Sequence, residues 1–491
     1  MSATKNETDV YAIHGADPEV LAYAMAKYSR SGLTMKESLA EISAQRAEQF
    51  LNTFYFQYGH RSIADLAHIP MAIERLSLLA AIALVDEQRW DGQERSTRYQ
   101  DFRKSGWYTP AVGDQTASYT AAIEALFGAY ERIGAGMLEA LQGAIARPAE
   151  MKEEAYVRTL KARAFDVARY LLPLATNTSL GQIVNARTLE TQVSRLLTSE
   201  FGEIRGLGER LRAAASEAAW NPNEGAREVK VAPTLVKYAV PNAYQAETAG
   251  LLRAAVAELM GGAAIAKAPV VDLVEEGKSL EVELATSLLY PHCHYSYRQV
   301  RDRVAGLSGS GVMEVIEMGT RLRGRHDELL RAYSSGGGLR FDILMDVGGF
   351  RDMHRHRRCV QLLQGFTDVH GYEDPGCPGQ PTLEEAGLAG VYKGAMDAAF
   401  GAYEDLKVSG CEEAGESAQY LLPLGTRCRA MFKMDFAEAL YISELRSGVA
   451  GHFSYRRVAW EMYLAVKKAH PGLAGLFRIE DVWEPVDLLR R

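Results

Sequence analysis

The sequence predicts an α+β fold in two copies, each a sheet flanked by helices, packed about a pseudo-twofold axis. Three observations lead there. The chain has 491 residues, and a prior of roughly 150 residues per domain divides that length into two or three units. Helical periodicities recur along it and alternate with shorter extended stretches. Finally, Ala168-Arg169-Tyr170-Leu171-Leu172-Pro173-Leu174 returns as Ala418-Gln419-Tyr420-Leu421-Leu422-Pro423-Leu424, an offset of 250 residues, and each copy has a polar cluster before it and a helix after it. The implied boundaries are 1–220 for the first domain, 221–265 for a linker region holding Pro222, Pro233, Pro241 and Gly261-Gly262, and 266–491 for the second. Such a pair is the fused counterpart of an isologous dimer, and its halves are free to diverge.

In chain order, Ala16 to Phe56 reads as helical. Asp17-Pro18-Glu19 marks its start, and Ala40, Ala44, Ala47, Leu51 and Phe54 recur at four- and three-residue steps. Gly59-His60-Arg61-Ser62 reads as a turn or cap. An apolar run from Leu78 to Val85 leads into Asp86 to Tyr99. Extended from Gln93 onward, that stretch places Glu94, Ser96 and Arg98 on one face and Gln93, Thr97 and Tyr99 on the other. Trp107 to Pro110 and Gly113 read as a loop, and helical patterns resume over Leu126–Leu141 and Ala155–Leu172, the latter stopped by Pro173. Thr178 to Arg187 opens a segment that continues as a helix through Leu189, Val193, Leu196 and Leu197. In the second copy the mixed run Phe341–Phe350 leads into Arg351-Asp352-Met353-His354-Arg355-His356-Arg357-Arg358. Six of those eight residues are basic or imidazole, which suits an anionic ligand. Tyr455, Val458, Ala459, Met462 and Val466 form one helical stripe, ended by Pro471, that reads as core.

Composition removes several classes. Hydrophobic residues make up 47% and charged residues 24%, as in globular domains rather than disordered or fibrous chains. The formal charge of -8 argues against stable nucleic-acid binding while leaving room for a local basic pocket. The apolar run at Leu78–Val85 is far short of the roughly 20 residues that cross a bilayer, so no membrane association is expected. The polar start Met1-Ser2-Ala3-Thr4-Lys5 lacks a signal-peptide core, and the expected location is the cytoplasm. Five cysteines without a CxxC pair indicate neither a disulfide framework nor a structural zinc site. His292-Cys293-His294 does not make a metal site, because adjacent residues seldom converge on one ion.

An acid, a hydroxyl and a guanidinium on one face, as in Glu94, Ser96 and Arg98, suit a polar ligand with a phosphate and hydrogen-bonding edges. The same spacing also fits a solvated edge strand. The wider pattern resembles the flavin-dependent thymidylate synthases, whose signature is R-H-R-x-x-S-x-N/Q-E-x-S-x-R-Y. The first copy keeps the second half, Gln93-Glu94-x-Ser96-x-Arg98-Tyr99, but has Asp86-Glu87-Gln88 in place of R-H-R. The second copy keeps Arg355-His356-Arg357 and then departs, with Val360, Leu362, Leu363, Gly365, Thr367 and Asp368. Gly59-His60-x-Ser62-x-x-Asp65 is similar to the family's flavin-contacting turn. Arg169 matches a nucleotide-contacting arginine and becomes Gln419. Asn185 and Arg187 match an N-A-R element and become Asp435 and Ala437. The arginine that polarises the pyrimidine falls on Leu196 in the first copy and on Arg446 in the second.

The resemblance implies reductive methylation of dUMP at C5 by an FAD-dependent methyltransferase, with methylenetetrahydrofolate as carbon donor and NADPH as reductant. It implies a nucleotide site shared between copies. Arg355, His356, Arg357 and Arg446 would face Glu94, Ser96, Arg98, Tyr99 and Arg169, giving one composite site per chain. In that site Arg446 stabilises charge on the pyrimidine, Ser96 is a positioning hydroxyl beside the base, and Arg98 and Arg169 hold the phosphate. The flavin contacts would be His60, Ser62, Asn185, Arg187, Arg355, His356 and Arg357. The other composite, with Asp86, Leu196, Gly365 and Gln419, would be degenerate. The family's unit of four domains implies a homodimer of this chain. Asp352 stands where the family has glutamine, so two alternatives stay open: a flavoenzyme acting on a different nucleotide or modified pyrimidine, and a catalytically silent flavin- or nucleotide-binding homologue.

Overall fold

The computed structural model describes residues 11, 13, 15–27, 31–42, 61–223, 225–237, 239–274, 280–324, 327, 329–333, 338–410, 414–485 and 487–490. The side chains of 61 and 62 lie outside that description. Two helices, α1 (Pro18–Lys27) and α2 (Met35–Glu41), stand where one long helix was expected. The break has a local cause, a capping box in which Thr34 and Glu37 each satisfy the other's backbone N–H and so start a new helix. Ala44, Ala47, Leu51 and Phe54 of the predicted stripe lie outside the described residues.

The first copy then runs β1 (His68–Ser77), α3 (Leu78–Leu84), β2 (Asp91–Glu94), α4 (Thr116–Ala144), α5 (Glu153–Ala168), β3 (Asn177–Asn185), α6 (Ala186–Leu197) and α7 (Gly202–Ser216). Its sheet has the order β1-β3-β2, all antiparallel. Helix α8 (Ala243–Met260), strand β4 (Val271–Leu273) and helices α9 (Leu280–Leu289), α10 (Tyr297–Ala305) and α11 (Gly309–Met318) follow. The second copy repeats the first as β5 (Leu339–Asp346), α12 (Val347–Met353), β6 (Val360–Leu363), α13 (Ala389–Lys407), α14 (Ala414–Ala418), β7 (Arg427–Met434), α15 (Phe436–Ser447) and α16 (Phe453–Ala469). Its sheet, β4-β5-β7-β6, is the first order with β4 added at one edge. Both copies thus fold as small sheets flanked by helices, as the internal repeat predicts.

The pseudo-twofold axis passes between Pro173 and Pro423, which form an antiparallel bridge. The amide of Leu174 donates to the carbonyl of Leu422, and that of Leu424 to Leu172, both at 2.9 Å. Ala175 likewise donates to Tyr420 and Gly425 to Tyr170, again at 2.9 Å. Each bond has its mate in the other copy, as an isologous contact requires. The prolines end the helical segments before them, with Leu172 and Leu422 extended at the C-caps of two short 3₁₀ turns. That leaves free amides beyond them to pair across the axis. Gly425 is needed there, because a Cβ would stand 2.9 Å from the Tyr392 hydroxyl and 3.2 Å from the Tyr170 side chain. Around this joint the copies share one core, in which Tyr119, Ile133 and Leu160 belong to the same cluster as Phe341, Met396 and Met462.

The two sheets differ in what covers them. β3 alternates, burying Thr178, Leu180, Gln182 and Val184 while Ile183 stays 52% exposed, so one face is open. β7 is buried along nearly its whole length, because Val360, Leu362 and Met431 pack against the α8–α11 layer. That layer also supplies partners for charges that a closed face would otherwise strand. Tyr290 and the backbone N–H of Tyr297 donate to Asp342, which also pairs with Arg429, and Glu283 pairs with Lys433.

Candidate functional site

The predicted strand face containing Glu94, Ser96 and Arg98 is shorter than expected. β2 pairs with β3 only from Asp91 to Glu94. After the amide of Arg95 bonds Ser179, the chain turns, with Gln100 donating back to the Ser96 carbonyl. The turn is what takes Arg98 inward. Its Nε and Nη2 donate to the two oxygens of Asp166 at 2.7 and 3.1 Å, Nη1 to the Tyr455 hydroxyl at 2.9 Å, and Nη2 also to the Ala450 carbonyl at 3.2 Å. Both members of the ion pair are buried. Burial disfavours the Arg98 charge, but Asp166 more than compensates and holds the guanidinium above its ordinary range. Arg98 is therefore largely saturated by its own fold, and Asp166 and Tyr455 are site residues that sequence reasoning missed. An aspartate among the apolar residues of the last turn of α5, between Phe165 and Val167, was the available signal for the first.

Arg169 differs. It opens the 3₁₀ turn before Pro173 and is 2% exposed. Its Nη1 donates to Asp352 Oδ2 at 3.3 Å, while Nε and Nη2 are buried without a hydrogen-bond partner. Buried unpaired donors on a cation are costly unless something accepts from them. Asp352 lies in α12, which its N-cap Asp346 starts by accepting from the Gly349 amide. Burial alone would raise the Asp352 carboxyl; Arg169, Arg98, Arg446 and Arg355 together carry it below the usual carboxylate range. Four arginines from two copies thus surround one carboxylate.

Arg446, in the last turn of α15, donates from Nε to His356 Nε2 at 2.8 Å. His356 must therefore carry its proton on Nδ1, which faces Glu438 at 3.6 Å. Burial and the cations Arg446 and Arg357 push this imidazole down to about 3, so it is neutral at pH 7. Arg446 and Arg98 lie 5.3 and 5.7 Å from the centre of the same Tyr455 ring. Arg351, not singled out before, pairs with Glu94 across the copies. Arg357 stacks 5.3 Å from Trp90 of the first copy, and burial pushes it down to about 10. Arg355 is exposed. Ser96 Oγ accepts from the Arg98 amide at 3.3 Å, and Tyr99 is 60% exposed beside Arg98.

The structure thus brings Arg98, Arg169, Arg355 and Arg446 together around Asp352 and places Glu94, His356 and Arg357 at the contact between the copies, with Ser96 in the first-copy turn that carries Arg98 inward. Asn185 and Arg187 join a separate cluster. Asn185 caps α6 by accepting from the Thr188 amide at 2.8 Å, and Arg187 shares Asp65 with Arg89. His60 and the side chain of Ser62 lie outside the described residues. No group of His, Cys, Asp and Glu able to hold a metal occurs among the described residues. Among them there is also no helix long and apolar enough to cross a membrane.

The alternative composite has a different character. Asp86, Gly365 and Gln419 line a cavity of about 960 Å³. Asp86 pairs with Arg331, and Glu87 with Arg195.

The model of the thymidylate synthase complementing protein family matches residues 12–219 and 337–472. A UPF0159 protein of Chlamydia pneumoniae is 27% identical over 99% of this chain and 94% of its own. A flavin-dependent thymidylate synthase of Clostridium tetani is 28% identical over 46% of this chain and 84% of its own length. Among solved structures, a UMP/dUMP methylase, PolB, from Streptomyces cacaoi bound with 5-Br dUMP shares 17% identity and a TM-score of 0.31, covering 45% of this chain and 88% of that one.

Proposed function

This chain belongs to the thymidylate synthase complementing protein family, that of the flavin-dependent thymidylate synthases, and from that premise we propose that it methylates a pyrimidine nucleotide reductively at one composite site per chain. The substrate in this reading is dUMP, with methylenetetrahydrofolate as carbon donor and NADPH as reductant. The observation that carries it is Arg169, buried with two unpartnered donors inside a cluster of arginines contributed by both copies. An oxyanion accepting from Nε and Nη2 satisfies both donors in one bidentate contact.

The residues divide the work by their chemistry. Arg169 binds the phosphate. Arg98, tied to Asp166 and Tyr455, fixes the wall of the site and adds positive potential rather than free donors. Arg446 stabilises negative charge developing on the pyrimidine ring. Neutral His356 accepts from its Nε and aims the guanidinium. Ser96 and Glu94 position the base. The cationic, partly exposed Arg355 and Arg357 fit the anionic part of a flavin dinucleotide, and Asn185, Arg187, His60 and Ser62 would complete its contacts. Bound FAD would supply the hydride chemistry, leaving the protein to orient and polarise.

A second reading keeps the site and changes the substrate. It is supported by Asp352, whose ionised carboxylate sits against Arg169 and would discriminate against a group placed as in dUMP. The test is incubation of the full chain with FAD, NADPH, methylenetetrahydrofolate and either dUMP or UMP, followed by mass analysis of the nucleotide. A gain of one methyl group on dUMP supports the first reading, and a gain on UMP alone supports the second. Flavin binding without any methylated product leaves a silent homologue. In the same reading two chains associate to cover the open face of the first sheet around Ile183.

A further inference from the structure

The position related to the arginine cluster by the pseudo-twofold axis is a cavity, and its cause is visible residue by residue. Arg351 and Asp352 of α12 are matched in α3 by Ile82 and Ala83, the fifth and sixth residues after the N-caps Asp346 and Ser77. Glu94, at the end of β2, is matched by Leu363 at the end of β6. Arg169 is matched by Gln419, each opening its 3₁₀ turn. Two ion pairs that fill the first position, Arg351 with Glu94 and Arg169 with Asp352, are therefore replaced by Ile82, Leu363, Ala83 and Gln419. All four line the cavity. Shorter, largely apolar side chains leave the space that the charges occupied.

What remains there is not a phosphate site. Its wall carries four carboxylates, Asp86, Glu87, Glu190 and Asp327, against two guanidinium groups, Arg195 and Arg331. Each of those two is already paired, with Glu87 and Asp86 respectively. Two acceptors in the wall lack partners. Gln364 donates from Nε2 to the carbonyls of Tyr290 and Tyr295, and its Oε1 is buried without a hydrogen bond. His354 is 5% exposed, with Nδ1 2.7 Å from Gln361 Oε1. Gln361 donates from its own Nε2 to the His356 carbonyl, so Oε1 is its acceptor and His354 carries the proton on Nδ1. His354 Nε2 is then a second acceptor without a hydrogen bond, 3.7 Å from the Asp86 carboxylate. Buried acceptors call for donors. The rest of the lining, including Phe350, Phe366 and Leu330, is apolar, and the volume is that of a small-molecule pocket.

We propose that this cavity is a second ligand site, with the opposite preference to the arginine cluster: it takes a flat, amino-substituted heterocycle that carries no phosphate. The ligand donates N–H bonds to wall acceptors and buries its faces against the apolar lining. The proposal does not depend on the chemistry at the first position.

The test uses the full chain, adenosine as the probe and calorimetry as the readout, with AMP and dUMP alongside. Adenosine should bind saturably at about one per chain, AMP at least tenfold more weakly. Ala83→Trp, which fills the cavity from α3, should abolish adenosine binding and leave dUMP binding unchanged, while Arg446→Ala should do the reverse. Leu363→Phe blocks the cavity from the other copy and serves where the first variant does not fold, as judged by circular dichroism. Absence of saturable adenosine binding overturns the proposal. So does AMP binding as tightly as adenosine, or adenosine binding that survives both blocking variants. A chain that binds adenosine but not dUMP refutes dUMP as the substrate proposed above and leaves this site standing.

Discussion

Arg98 and Arg446 touch one tyrosine ring but serve different ends, and substitution should separate them. Arg98→Ala removes a bidentate partner of the buried carboxylate of Asp166, a loss of roughly 3 to 5 kcal/mol in stability. A fall in Tm is the expected reading, and adding Asp166→Asn should recover part of it. Arg446→Ala removes a half-buried cation whose neighbour His356 is already neutral. It should leave Tm nearly unchanged and weaken nucleotide binding by about 2 to 5 kcal/mol. Equal losses of Tm in the two variants would contradict this division. Residue identities at the site were legible in the motif halves, whereas their partners were not. Nothing in the spacing ties Arg98 to Asp166 or Tyr455, because those contacts arise only when α5 and α16 pack around the turn after β2.

The histidines give a second residue-scale prediction. Burial pushes His354 down to about 4 and His356 to about 3, below the value of about 6.5 for an unfolded histidine. Between those values the unfolded chain binds more protons than the folded one, so stability is fully present above about pH 6.5 and falls as the pH drops toward 3. Thermal unfolding followed from pH 7 to pH 4 should show Tm decreasing throughout. His354→Gln should flatten part of that slope, and a slope unaltered in this variant would refute the assignment.

At the scale of elements, the short strap at Pro173 and Pro423 joins the copies, and it depends on Gly425. Gly425→Val brings a branched side chain against Tyr170 and Tyr392. It should cost about 1 to 3 kcal/mol by overpacking, measurable by denaturant unfolding, whereas Ala175→Val at the symmetry-related position, where a methyl group is already accommodated, should cost less. The repeat Leu-Leu-Pro-Leu marked the two copies in the sequence but not that its two occurrences pair with each other, and the α16 stripe from Tyr455 to Val466 proved to be core. Other elements were hidden for physical reasons. The capping box at Thr34 breaks a helix whose apolar period would carry straight through it. The end of β2 at Glu94 is set by pairing with β3, not by any breaker in the chain. The α8–α11 layer was obscured because part of it falls in a stretch rich in proline and paired glycines, although its helices carry local caps at Asn242, Ser296 and Ser308, and its packing on β6 and β7 is a long-range contact that no local signal shows.

For the whole molecule, the two sheets are covered unequally. The second sheet is closed by α8–α11, while the first leaves Ile183 in the open. If that face is buried between chains, light scattering at micromolar concentration should give a mass near twice 54.0 kDa, and Ile183→Lys should shift the population to monomer. Each copy keeps half of the family motif, so that arginines of both copies converge at one place, while the other holds a cavity whose two guanidinium groups are already paired with its own carboxylates. The measurement that bears most directly on this account is the number of dUMP molecules bound per chain, by calorimetry on the full protein. One per chain is expected, lost in Arg446→Ala and kept in Leu196→Ala. Two equivalent sites per chain would contradict it, as would binding that survives Arg446→Ala but is lost in Leu196→Ala.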